Sequence, residues 1–68
     1  MMKTGQIVTI SRKELGITQA ELAKRADVTR NSISRIENGD YANMTAHTAV
    51  KLARALGLSL DVLLCLEQ

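Results

Sequence analysis

Gly16, Gly39 and Gly57 stand where helices end, and a hydroxyl side chain suited to open the next helix follows each of them. This punctuation constrains the fold more than any other feature of the chain. Thr18 with Glu21 three residues later reads as a capping box, and Thr29, Thr45 and Ser59 read as further N-caps. No segment alternates apolar and polar residues long enough to form a strand, so the pattern predicts an all-α fold of five helices. The first runs from about Thr4 to Leu15, the second starts at Thr18, and the third runs over 29–38. The fourth runs from Thr45 to Gly57, and the fifth over 59–67. Asp27-Val28 interrupts the pattern between the second and third helices, and 40–44 reads as a polar loop.

With 68 residues, the expectation is a single domain over 1–68 with one small core and no separate effector-binding domain. Tyr41 is the only aromatic residue, so aliphatic side chains must fill that core. Expected core stripes are Val8, Arg12 and Leu15 on the first helix and Leu22, Ala23 and Ala26 on the second. The third contributes Ile33 and Ile36, and the fourth Ala46, Ala49, Val50, Leu52, Ala53 and Leu56. Ile7 and Ile10 fall away from the Val8 face and read as ordinary surface apolar residues.

Composition narrows the function. The net charge of +2 permits a polyanionic partner without demanding one. One aromatic residue cannot supply the stacking platforms used to grip single strands. Cys65 is the only cysteine, which excludes an internal disulfide. With no signal peptide and no membrane span visible, a cytoplasmic protein is expected. His47 lies on the polar side of the fourth helix and Cys65 has no His or Cys nearby, so no catalytic site, metal site or cofactor is expected.

The third helix carries the chemistry. Placed at about 100° per residue, Ile33 and Ile36 fall on one side, while Arg30, Asn31, Ser34, Arg35 and Asn38 fall on the other. Arg can donate a bidentate pair to guanine and Asn can pair with adenine in the same way. A polar face alone only keeps a helix soluble. Here it follows a second helix and a tight connection, giving the two-helix corner that presents one helix to a partner over 18–38.

The stretch Thr18-Gln19-Ala20-Glu21-Leu22-Ala23, then Val28-Thr29, then Ser32-Ile33-Ser34-Arg35-Ile36-Glu37-Asn38-Gly39, resembles the Cro-type phage-repressor helix-turn-helix family, also called XRE. The tail Lys51-Leu52-Ala53-Arg54-Ala55-Leu56-Gly57-Leu58-Ser59-Leu60-Asp61 resembles its last two helices. The resemblance implies a lambda-repressor-like fold and a transcriptional regulator, in the first instance a repressor, that reads a near-palindromic double-stranded DNA operator. It implies a phosphate contact at Gln19, base-edge or adjacent phosphate contacts at Arg30, Asn31, Ser34 and Arg35, and a phosphate contact at Asn38. It also implies an ion pair between Arg12 and Glu37 that orients the third helix.

Two departures stand out. The loop 40–44 lacks the family's usual proline and is about one residue longer. It also carries Asp40 and Tyr41 where basic residues are frequent. Phosphate-facing charge is then expected from among Lys13, Lys24, Arg25, Arg30 and Arg35.

On the fifth helix Leu60, Leu63 and Leu64 can face inward, leaving Val62, Cys65 and Leu66 as a second apolar stripe, a candidate homodimer contact. The alternative reading is the antitoxin of a toxin–antitoxin pair, with a toxin protein docked on the Tyr41–Met44 loop or on Ile7 and Ile10.

Overall fold

A computed structural model describes residues 2–65 of the chain. Its elements in order are α1 (Thr4–Glu14), α2 (Gln19–Ala26), α3 (Arg30–Glu37), α4 (Ala46–Leu56) and α5 (Leu60–Leu63), with no strand among the described residues. None of these helices is long and apolar enough to cross a membrane.

The starts follow the capping residues. Thr18 Oγ1 accepts from the Glu21 N–H at 3.0 Å while Glu21 Oε1 accepts from the Thr18 N–H at 2.8 Å. This holds the Glu21 carboxyl below its ordinary value, chiefly through the Thr18 backbone hydrogen bond. Thr29, Thr45 and Ser59 accept from the N–H groups of Ser32, Thr48 and Val62 in the same way. Each cap satisfies an N–H that the helix itself cannot.

The helices enclose one core, at whose centre Val8, Leu22, Ile33, Leu52 and Leu63 are fully buried. Two expectations for α1 fail. Leu15 is 48% exposed, whereas Ile7 is only 9% exposed and belongs to the core. The helix stops at Glu14, and Leu15 as C-cap precedes Gly16 at φ +71°, which turns the chain outward. Ile17, just past that turn, fills the place instead. On α1, Thr4, Gly5, Ile7 and Val8 are buried while Ile10 stays exposed as expected.

On α4, Ala46 is exposed and Val50 half-buried, while Ala49, Leu52, Ala53 and Leu56 form the buried face. The helix expected over 59–67 is shorter, with Leu64 as the C-cap of α5 and Cys65 at φ +60°. Leu60 and Leu64 pack on the core beside the fully buried Leu63. Val62 and Cys65 are half-buried, and Leu66 lies outside the described residues.

The loop before α4 is engaged rather than loose. Tyr41 and Met44 pack against the core, and the Tyr41 hydroxyl accepts from the Gly5 N–H at 2.8 Å. The lone aromatic side chain therefore ties this loop to the first turn of α1.

Candidate nucleic-acid interface

Three local features aim α3. The turn after α2 places Asp27 in the left-handed region at φ 57°, and the Val28 N–H donates back to the Ala23 carbonyl at 3.0 Å. Lys51 of α4 steadies this turn: its Nζ donates to the Asp27 carbonyl at 3.2 Å and lies 3.6 Å from the Asp27 carboxylate. Ile33 and Ile36 then anchor α3 in the core, 0% and 2% exposed. The opposite face of α3 is left to solvent.

The far end of α3 is locked by charge. Arg12 Nε donates to Glu37 Oε2 at 2.7 Å and Nη2 donates to Oε1 at 3.2 Å, a bidentate pair whose side chains are 12% and 7% exposed. Arg12 Nη1 also donates to the Ile17 carbonyl at 2.9 Å. Gln19 completes the cluster by donating its Nε2 to Glu37 Oε1 at 3.1 Å. Burial by itself raises the Glu37 pKa, but hydrogen bonds from Arg12, Gln19 and Thr9 outweigh it and hold the carboxyl below its ordinary value. The hydrogen bond to Glu37 in turn raises the Arg12 pKa. One cluster therefore joins α1, the start of α2 and the end of α3.

Gln19, Arg30, Asn31 and Ser34 line one shallow depression of about 400 Å³. Asn31 also borders an adjacent cleft of about 150 Å³ that holds Arg35, together with Ser32, Asp40, Asn43 and Thr48. Five of the residues singled out from sequence thus form a continuous polar surface, with Asn31 common to both parts. Asn38 stands apart as the exposed C-cap of α3. Lys13 and Lys24 are exposed, and Arg25 borders a separate depression with Asp27, Lys51 and Arg54.

Sequence reasoning missed two neighbours of this surface. It gave Gln19 no internal partner, and it treated Asp40 only as a missing base. Asp40 Oδ2 lies 3.9 Å from Arg35 Nε. The available signal was Gly39, because a helix-stop glycine folds the next residue back over the last turn. Among the described residues no cluster of His, Cys, Asp and Glu could hold a metal ion.

Known proteins resemble this chain in sequence and in fold. A helix-turn-helix family model matches residues 10–63. An uncharacterized HTH-type transcriptional regulator of Methanothermobacter thermautotrophicus is 52% identical over 48 residues. That alignment covers 68% of this chain and 65% of the relative, so the chain spans just under two thirds of that protein. The ImmF control region 10 kDa protein of Bacillus phage phi105 is 38% identical over 61 residues, which cover 90% of this chain and 67% of the phage protein. Among solved structures, the P22 c2 repressor protein in complex with a synthetic operator superposes with a TM-score of 0.87 at 31% identity. The superposition covers 94% of this chain and 96% of that one.

Proposed function

The chain belongs to the XRE-type helix-turn-helix family, and we propose that it is a sequence-specific repressor that reads double-stranded operator DNA with α3 in the major groove. The observation that carries this reading is the continuous surface of Gln19, Arg30, Asn31, Ser34 and Arg35 on a helix held at both ends. Family and fold are those of DNA-binding regulators, and the P22 c2 repressor carries the same fold in its operator complex.

Each residue has a role on this reading. Arg30, Asn31, Ser34 and Arg35 meet base edges or the adjacent phosphates. Gln19, first residue of α2, takes a phosphate. One of its two amide hydrogens is spent on Glu37, which leaves the other beside the free backbone N–H groups at the helix start. Asn38 adds a phosphate contact beyond α3. Arg12 and Glu37 touch no DNA and serve to hold α3 at its angle.

The acting form is a homodimer. Ile7, Ile10, Leu58, Val62 and Cys65 line an apolar groove of about 580 Å³ between α1 and α5, and a second copy seated there would present two copies of α3 to one face of the duplex. The antitoxin alternative finds no support. Tyr41 and Met44 pack against the core, and the Ile7–Ile10 surface it invoked lines the groove assigned here to the second copy.

Replacing Arg35 with Ala is expected to weaken binding to the preferred operator by about 1–3 kcal/mol while changing random-sequence binding much less. Filter-binding or fluorescence titration of both duplexes reads this directly. Equal loss on the two would reassign Arg35 to the phosphate backbone.

A further inference from the structure

Asp40 carries a negative charge in two unfavourable places. It follows the C-terminal end of α3, where the helix dipole opposes an anion, and it borders the face assigned above to DNA phosphates. Its backbone explains how it comes to sit there. The Gly39 N–H donates to the Ile36 carbonyl at 3.0 Å with Gly39 at φ +86°, and the Asp40 N–H donates to the Arg35 carbonyl at 2.8 Å. These are the paired bonds of a Schellman cap, which brings residue 40 back over residue 35. The side chain is fixed from the other side, since its Oδ1 accepts from the Ala42 N–H at 3.2 Å.

An asparagine would accept that same Ala42 hydrogen bond, so the turn itself does not require a charge. What the carboxylate adds is a tethered counter-charge 3.9 Å from Arg35 Nε. Both side chains are about half exposed, at 48% for Arg35 and 50% for Asp40. A free arginine there would sweep a wide arc and reach any passing phosphate. A restrained one loses less freedom on meeting a base edge.

We propose that Asp40 is a positioning residue for Arg35, raising the preference for operator over random DNA at the expense of overall affinity. This rests on the DNA-binding reading above. Asp40 works through Arg35 and makes no contact with a base.

The test uses the duplex that the wild-type protein enriches from a random pool, and a random-sequence duplex of equal length. Asp40→Asn, Arg35→Ala and the double variant are titrated on both. Asp40→Asn is expected to lower the operator-to-random affinity ratio about two- to fivefold, the scale of one exposed ion pair, with random-duplex affinity rising. In the Arg35→Ala background the same substitution is expected to leave the ratio unchanged, within a factor of about 1.5. A ratio untouched by Asp40→Asn overturns the proposal. So does a change of equal size with Arg35 absent, which would mean that Asp40 acts on the preference without working through Arg35. A wild-type protein that enriches no duplex overturns instead the reading on which the proposal stands.

Discussion

Arg12→Met is expected to reduce stability by about 3 kcal/mol at pH 7, with the loss shrinking as the solution is acidified. The guanidinium donates to both oxygens of Glu37 and to the Ile17 carbonyl, and both charged side chains are largely shielded from water. Methionine keeps much of the packing but leaves the Glu37 carboxylate without a counter-charge, with only uncharged donors such as Gln19. Removing one partner of a shielded pair leaves a desolvated charge behind. For a chain of this length, total stability is on the order of 3–10 kcal/mol, so the loss is a large fraction of it.

The pH dependence separates charge from packing. In the wild-type protein the Glu37 carboxyl is held below its ordinary value of 4.5. The unfolded chain therefore takes up the proton first. The stability Glu37 contributes is present above about pH 4.5 and disappears as pH falls through the lower folded value. In Arg12→Met, burial without its counter-charge is expected to push the same carboxyl above its unfolded value, so stability is instead lost as pH rises. Urea denaturation followed by circular dichroism at pH 3, 5 and 7 measures both curves. A deficit of the same size at pH 3 and pH 7 would mean that Arg12 acts by packing alone.

Gly5→Ala is the second large effect, and its sign is the informative part. In an open helix this change stabilises by roughly 0.5–1 kcal/mol. Here the added methyl carbon would lie 2.4 Å from the Ile36 carbonyl oxygen and 3.0 Å from that of Glu37, both backbone atoms. Neither can swing aside, so α1 must withdraw from the end of α3. A destabilisation of about 3 kcal/mol is expected, at the upper end of what overpacking costs. The Gly5 N–H would also be drawn away from the Tyr41 hydroxyl. Thermal and urea melts check this, and a variant more stable than wild type would show that α1 and α3 do not approach this closely. Gly5 thus sets how near α1 lies to the end of α3.

The parts of this architecture that sequence made legible are those with a local cause. Thr18, Thr29, Thr45 and Ser59 cap the helices they precede, because a cap is a bond within a single turn. Ile33 and Ile36 lie inward because a period of 3.6 places them on one side. Periodicity gives the direction of a face but not how far along the helix it is covered. Leu15 lies beyond the covered stretch for that reason, and Ile17 takes its place in the core. Nothing local marked the end of α5, since Cys65 takes a left-handed backbone that asparagine or glycine more often signals.

Contacts between distant elements were legible only in part. The Arg12–Glu37 pairing came from resemblance to a family, while the Gln19 bond to Glu37 requires α2 and α3 to meet and leaves no trace in spacing. Nothing in the spacing marks Gly5, because its role depends on the α3 carbonyls that the fold brings beside it. Tyr41, in a loop read as polar and irregular, turned inward because its ring has core to cover and its hydroxyl a free N–H to meet. Asp40 looked like a lost contact to DNA. Its place over Arg35 follows from the cap geometry at Gly39.

The most direct test of the central claim is selection of bound duplexes from a random pool by the wild-type protein, with affinity for the winners followed against salt. A dimer reading DNA with α3 predicts a near-palindrome whose half-sites lie about 34 Å, one helical turn, apart. It also predicts that the logarithm of affinity falls linearly with the logarithm of salt concentration. Failure to enrich any sequence, with weak binding indifferent to salt, would contradict it.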